Sequence, residues 1–189
     1  MFKKIKSNLP VIMTATLFLL LSGTATADSF GTKVGSYAGV SAYSNGTVSY
    51  YSGQNNYYNG YRTGVNWQCV EYVNRFFKAI FGRQITGGNA NTYYANASSK
   101  GLGRAANGGT NKPQTGNLIC SNGSSYGHCA IVREVGSNYL KVIQQNWSNS
   151  SSDNSKTLSM SVKSSGGKNY YSVSPFSSSY PVVGWMWPG

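Results

Sequence analysis

The sequence predicts an α+β domain: helix in its first half, antiparallel sheet in its second. Val70, Val73, Phe76, Phe77 and Ile80 recur at spacings of three and four within 65–81. That is the period of a helix with one apolar face, and Gly82 ends it. Short apolar runs follow at 117–120, 128–135, 139–145, 170–173 and 182–187. They are separated by turn chemistry such as Ser121-Asn122-Gly123 and Gly136-Ser137-Asn138. Helices first and strands after, without βα alternation, is the α+β order.

The remaining segments follow along the chain. Lys3, Lys4 and Lys6 precede a mostly apolar run, Val11 to Leu21, and Ala25-Thr26-Ala27 supplies an A-x-A cleavage pattern. This is the make-up of a secretory signal peptide, expected to be cut after Ala27. The apolar run is short for a membrane span of about 20 residues. One domain, 28–189, is then expected outside the cytoplasm, secreted or periplasmic, with no transmembrane segment in the mature chain. Residues 30–61 are rich in Tyr, Ser, Gly and Asn and read as loop with short extended pieces. Asn66 is a candidate N-cap for the 65–81 helix. Residues 91–100 suit a short helix, 101–113 a loop and 148–155 a polar loop.

Composition narrows the chemistry. The chain has 16 Lys+Arg, 4 Asp+Glu and one His, a net charge of +12. A two-carboxylate glycosidase would have to draw on Asp28, Glu71, Glu134 and Asp153 alone. A zinc site with several His ligands is excluded, since His128 is the single histidine. No cofactor and no metal is expected. Without the three leader lysines, 13 Lys+Arg stand against 4 Asp+Glu, leaving +9. Such a charge favours an anionic cell envelope as partner. Nothing in the sequence matches a nucleic-acid motif.

Cys69 falls near the first turn of the predicted helix. Backbone N–H groups and the dipole there favour a thiolate, the nucleophilic form. A buried inert cysteine or a disulfide partner would suit the same position. His128 opens a strand on which it shares a face with Ala130 and Val132, while Cys129 points the other way. Cys120 ends one strand and Cys129 begins the next, so the two are candidates for a disulfide that leaves Cys69 free. A thiolate with an imidazole is the pairing of cysteine hydrolases. A third group usually orients the ring. Glu134 lies too far along the His128 strand. Gln144 and Asn146, on one face of the next strand, are the candidate neutral partners. Glu71 suits the helix dipole and an i, i+4 pair with Arg75, a structural role.

Several runs together carry a family resemblance. They are Trp67-Gln68-Cys69-Val70-Glu71-Tyr72, Pro113-Gln114-Thr115-Gly116-Asn117, Gly127-His128-Cys129-Ala130-Ile131, Gln144-Gln145-Asn146-Trp147 and Val183-Gly184-Trp185-Met186. In this order they resemble CHAP-domain cysteine amidases and peptidases. The opening segment and the Trp-Gln-Cys-Val-Glu run are also similar to the amidase domain of glutathionylspermidine synthetase/amidase. The resemblance implies a papain-like fold, with N-terminal helices packed on an antiparallel β-sheet. It implies Cys69 as nucleophile and His128 as base, with an oxyanion hole from the Cys69 N–H and Gln68. Two positions depart from the pattern: Asn117 stands where Asp is usual, and Gln144 where many members carry Glu. A neutral partner stabilises an imidazolium less than a carboxylate does.

Three functions fit these features. The first is an exported amidase or endopeptidase acting on peptidoglycan or muropeptides, with an immunity protein as a further candidate partner. The second is an amidase of a soluble γ-glutamyl or polyamine amide such as glutathionylspermidine. The third is a non-catalytic cationic wall-binding protein.

Overall fold

A computed structural model describes residues 28–48, 50–148 and 154–189. The leader read at 1–27 and Asp153 lie outside the described residues.

Four strands precede the helix. β1 (Lys33–Tyr37) and β2 (Val40–Tyr43) form one antiparallel hairpin, and β3 (Asn55–Tyr58) and β4 (Tyr61–Val65) a second. The stretch read as loop is therefore two hairpins, and the order is strands, helix, strands. Both turns have two residues at positive φ, Ala38-Gly39 and Asn59-Gly60. This is the turn geometry that matches strand twist, and Asn-Gly is its strongest sequence signal. Alternation is faint because these strands keep much polar, exposed surface.

α1 (Cys69–Phe81) follows, capped by the extended backbone of Gln68 rather than by Asn66. The Gln68 side chain makes no capping bond to the helix, and left-handed Gly82 closes its far end by donating to the Lys78 carbonyl. The 91–100 segment is broken into α2 (Ala90–Tyr93) and one 3-10 turn, Ser98–Lys100. β5 (Leu102–Ala106) occupies part of the expected loop. β6 (Leu118–Ser121), β7 (His128–Val135), β8 (Tyr139–Ile143), β9 (Ser155–Ser165), β10 (Lys168–Val173) and β11 (Val182–Pro188) complete the chain. β9 carries no clear apolar signal in sequence, because it is Ser-rich and buries only Leu158 and Met160. The fold mixes helices and strands, and strands dominate.

Seven strands form one antiparallel sheet in the order β10-β9-β8-β7-β6-β11-β5. It curls until its edges meet. The Gly108 N–H donates to the Tyr171 carbonyl at 2.7 Å, and the Tyr171 N–H to the Gly109 carbonyl at 2.9 Å. Joining the edges removes unpaired strand groups that would otherwise invite association. Inside the curl lie Ile119, Ala130, Val132, Leu158, Phe176 and Trp185. On the outer face Cys120, Cys129 and Ile131 pack with Tyr72, Val73, Phe76 and Phe77 of α1. Strand alternation sends adjacent residues to different layers. His128 and Cys129 thus belong to opposite faces, as their positions on β7 imply. No helix among the described residues is long and apolar enough to cross a membrane.

Gly127 sets where β7 begins. Its φ is +69°, and a Cβ there would lie 2.4 Å from the Ser121 carbonyl oxygen and 2.5 Å from the Asn91 nitrogen. Both are backbone atoms, so neither can swing away. Gly127→Ala is expected to destabilise the fold by about 1–3 kcal/mol from backbone strain alone, read by urea denaturation. A loss below about 0.5 kcal/mol, the size of an ordinary surface change, would contradict this close approach of α2 to β7.

Candidate active site

Cys69 is the first residue of α1 and is half-buried. The N–H of a first helical residue has no acceptor a turn earlier, so it remains available for a ligand. Cys69 and His128 line the same cleft, and Cys69 also packs against the apolar cluster that contains Cys129. His128 is buried at the start of β7. Its ring lies edge-on to Phe176 at 5.1 Å and against Trp147 at 4.7 Å. Nε2 of His128 is 2.9 Å from Oε1 of Gln144. An amide oxygen only accepts, so Nε2 carries the proton and Nδ1 is left to accept one.

The segment after β8 directs three successive side chains to three sites. Gln144 meets His128. Gln145 turns to the helix, donating to the Gln68 carbonyl at 3.2 Å and to Glu71 Oε2 at 3.0 Å. Asn146 donates to Gln68 Oε1 at 2.7 Å and accepts from the Asn45 side chain at 3.2 Å. Gln144 and Asn146 were equivalent as candidates on one strand face. They differ because Asn146 has φ +53°, a left-handed conformation that Asn tolerates and that breaks the strand alternation. Asn146 therefore serves the cleft wall, and His128 has Gln144.

Gln68 joins the same wall. Its backbone N–H donates to the Val65 carbonyl at 3.0 Å, and its side-chain amide reaches the Tyr50 carbonyl at 3.2 Å and Asn45 at 3.5 Å. The Gln68 groups expected to contribute to an oxyanion hole are thus engaged within the protein, which leaves the Cys69 N–H. Asn45 is the residue that sequence reading missed. It is buried, donates to the Thr47 and Tyr50 carbonyls at 2.8 Å each and accepts from the Trp67 N–H at 3.1 Å. It is one Asn among several in a polar stretch, and only the folded arrangement distinguishes it.

Beneath Cys69 sits Glu71, fully buried. It accepts from Asn56 at 2.8 Å, Thr63 at 2.9 Å, Arg75 Nε at 2.8 Å and Gln145. The i, i+4 pair with Arg75 expected from spacing is present. Arg75 also donates to the Ser41 carbonyl at 2.7 Å and to Gln145 Oε1 at 3.0 Å. Gly64 lets β4 approach this turn, for a Cβ there would stand 3.1 Å from the Glu71 Cα.

All three cysteines are free thiols, so the expected Cys120–Cys129 bridge is not formed. The two are directly opposed across β6 and β7. Opposed residues keep their Cβ atoms about 4.5–5.5 Å apart, wider than the ~3.8 Å typical of a disulfide. Cys129 instead interacts with both Cys120 and Cys69. Its S–H donation is the largest influence on Cys69 and holds that thiol well below the ordinary range. Burial opposes the shift, and the hydrogen bond and charge of His128 add to it. Burial in turn pushes the Cys129 thiol well above its ordinary value, with the neighbouring Cys120 and Cys69 adding to the rise.

A cleft of about 890 Å³ runs past Cys69 and His128. Tyr50, Tyr51, Arg62 and Tyr126 line it, with Tyr51 and Tyr126 each 69% exposed. No carboxylate lines it among the described residues. Arg62 is held by Nε to Asn55 Oδ1 at 2.8 Å. A base, a low-lying thiol and an unpaired helix-end N–H at one cleft suit attack on a carbonyl.

The thiol geometry has a pH consequence. Only the thiolate is alkylated, so a lowered Cys69 reacts at pH values where an ordinary thiol is protonated. The midpoint for native Cys69 with iodoacetamide should fall below the free-thiol value of about 8.5, while Cys129 stays unmodified. Cys129→Ala removes a donor to the thiolate and should raise that midpoint. A wild-type midpoint at or above the free-thiol value would contradict the arrangement.

Residues 56–146 match the family model of the CHAP domain, a span holding Cys69, His128 and Gln144. No curated protein matches the chain significantly.

Proposed function

The chain carries a CHAP domain, and from that premise we propose that it is an exported cysteine hydrolase of peptidoglycan amide bonds. CHAP domains are generally amidases or peptidases. The observation that carries the reading here is that Cys69 and His128 line one cleft, with His128 held from behind by the buried Gln144 at 2.9 Å.

In the proposed mechanism, the Cys69 thiolate attacks an amide carbonyl and forms an acyl-enzyme. The Cys69 N–H, at the positive end of α1, donates to the developing oxyanion. Gln68 shapes the wall and is not a donor in this scheme, because its amide is bonded to Tyr50 and Asn45. His128 Nδ1 carries the proton to the leaving amine and then activates water. Gln144 keeps the proton on Nε2, which is the condition for Nδ1 to act. Its neutrality leaves the imidazolium less stabilised than a carboxylate would.

Three features support a wall substrate. The signal-peptide pattern of 1–27 points to export, and the remaining charge of +9 suits an anionic envelope. Tyr51 and Tyr126 offer exposed rings beside the cleft for sugar stacking. Arg62, in a lining without carboxylates, suits a substrate bearing free carboxyl groups, as peptidoglycan stems do.

Purified peptidoglycan should lose turbidity and gain amino termini with wild-type protein and not with Cys69→Ala. Equal binding without cleavage by either would favour a cationic wall binder. Cleavage of glutathionylspermidine with intact peptidoglycan would favour the soluble-amide reading. Gln144→Leu should lower kcat by about 100-fold with KM little changed, within the usual range for acid–base catalysis. A variant with full kcat would remove Gln144 from the scheme.

A further inference from the structure

Two buried thiols take no covalent part in the hydrolysis proposed above. Cys120 and Cys129 face each other across β6 and β7, each with 0% exposure. Both belong to the apolar cluster against which Cys69 packs. Cys69 opens α1, which packs on β7 and hardly on β6, so of the two opposed cysteines Cys129 is the one on the strand next to it. The three cysteines therefore form a row with Cys129 in the middle. Among the described residues no three His, Cys, Asp or Glu side chains converge to hold a metal ion. The row is a line of neighbours and not a cage. Of its members only Cys69 opens on the cleft, and the other two are sealed behind it.

We propose that Cys129 and Cys120 form an oxidation relay that restores Cys69 after it has been oxidised by a peroxide, ending as a Cys120–Cys129 disulfide. An exposed reactive thiolate is the sulfur that a peroxide reaches first. The Cys69 sulfur displaces one peroxide oxygen: an S–O bond forms, the O–O bond breaks, and hydroxide leaves. Cys69 is now a sulfenic acid. The Cys129 sulfur attacks the Cys69 sulfur, the S–O bond breaks, and the Cys129 proton departs with that oxygen as water. Cys120 then attacks the Cys129 sulfur from the side away from Cys69. A new S–S bond forms and Cys69 leaves as a thiolate. The proton released by Cys120 balances the hydroxide of the first step. Overall one hydrogen peroxide is reduced to two waters, and two thiols are oxidised to one disulfide.

Order within the row sets the direction. In thiol–disulfide exchange the better-stabilised thiolate leaves faster. Cys69, beside His128 and at a helix N-terminus, is that thiolate, while Cys120 and Cys129 are enclosed by apolar side chains. The wide spacing of opposed strand residues does not forbid the final bridge. The opposed Cβ separation of about 4.5–5.5 Å begins at the upper edge of disulfide geometry, so a small inward movement of the strands suffices.

The proposal rests on Cys69 being the reactive thiol of the reading above, but its readout is thiol state and not hydrolysis. Reduced protein is treated with one equivalent of hydrogen peroxide, blocked with iodoacetamide and digested without reductant by chymotrypsin, which can cut between Cys120 and Cys129 at Tyr126. Wild-type protein should show a Cys120–Cys129 linkage with Cys69 carbamidomethylated. Cys120→Ala should stop at a Cys69–Cys129 linkage, with Cys69 alkylation down by about tenfold until reductant is added. In Cys129→Ala, dimedone should label Cys69, and excess peroxide should carry it to the sulfinic acid. The relay is overturned if wild-type protein lacks the Cys120–Cys129 linkage, or if dimedone labels its Cys69 as fully as in Cys129→Ala. The wild-type map needs no variant to fold. A protein with the expected map that cleaves no amide retains the relay and loses the hydrolase reading. One that cleaves peptidoglycan without that map does the reverse.

Discussion

The structure around the cleft depends on one buried carboxylate. Glu71 lies in the first turn of α1, and its partners come from β3, β4, α1 itself and the segment after β8. A carboxylate taken out of water is costly unless its lone pairs are filled by donors. Asn56, Thr63, Arg75 and Gln145 fill them, and removing one side of such a buried pair typically costs about 3–5 kcal/mol. The requirement to satisfy this group ties the helix end to three separate stretches of chain.

That constraint reaches the cleft through Gln145. With Gln145 held to Glu71, Arg75 and the Gln68 carbonyl, its neighbours have little freedom. Gln144 falls on the His128 side, and Asn146 on the side of Gln68 and Asn45. Arg75 is covered by aromatic faces, with Tyr43 at 5.3 Å and Tyr72 at 5.5 Å from the guanidinium carbon. Cation–π contact strengthens when water is excluded. The Tyr-rich stretch thus has two tasks: Tyr43 shields the charged cluster, while Tyr50 and Tyr51 border the cleft.

The curl of the sheet has a related consequence. Because β7 carries apolar residues on both faces, neighbouring side chains at its start serve different layers. His128 meets Trp147 and Phe176, while Cys129 packs with the outer cluster. Cys69 stands at the junction: it packs on the outer cluster and lines the same cleft as His128. A single helix end can therefore approach an imidazole and a thiol that point apart along their strand.

Much of this was legible in residues alone. The helix that begins at Cys69 was marked by its apolar period and by Gly82, and β6, β7, β8, β10 and β11 by short apolar runs. With one histidine in the chain, the imidazole could only be His128. The two N-terminal hairpins read as loop with short extended pieces, because their polar strands carry no clear period, although Asn59-Gly60 is a favoured hairpin dipeptide. β5 and β9 were silent for a similar reason: their pairing comes from neighbouring strands and little from their own apolar side chains. Tertiary structure alone decided which amide meets His128. Gln144 and Asn146 look alike in sequence, and the positive φ of Asn146 arises from contacts more than 70 residues away. It also decided the state of the cysteines. Spacing suggested a bridge, but whether two thiols join depends on strand separation and on the third sulfur packed beside them, and no sequence distance encodes either.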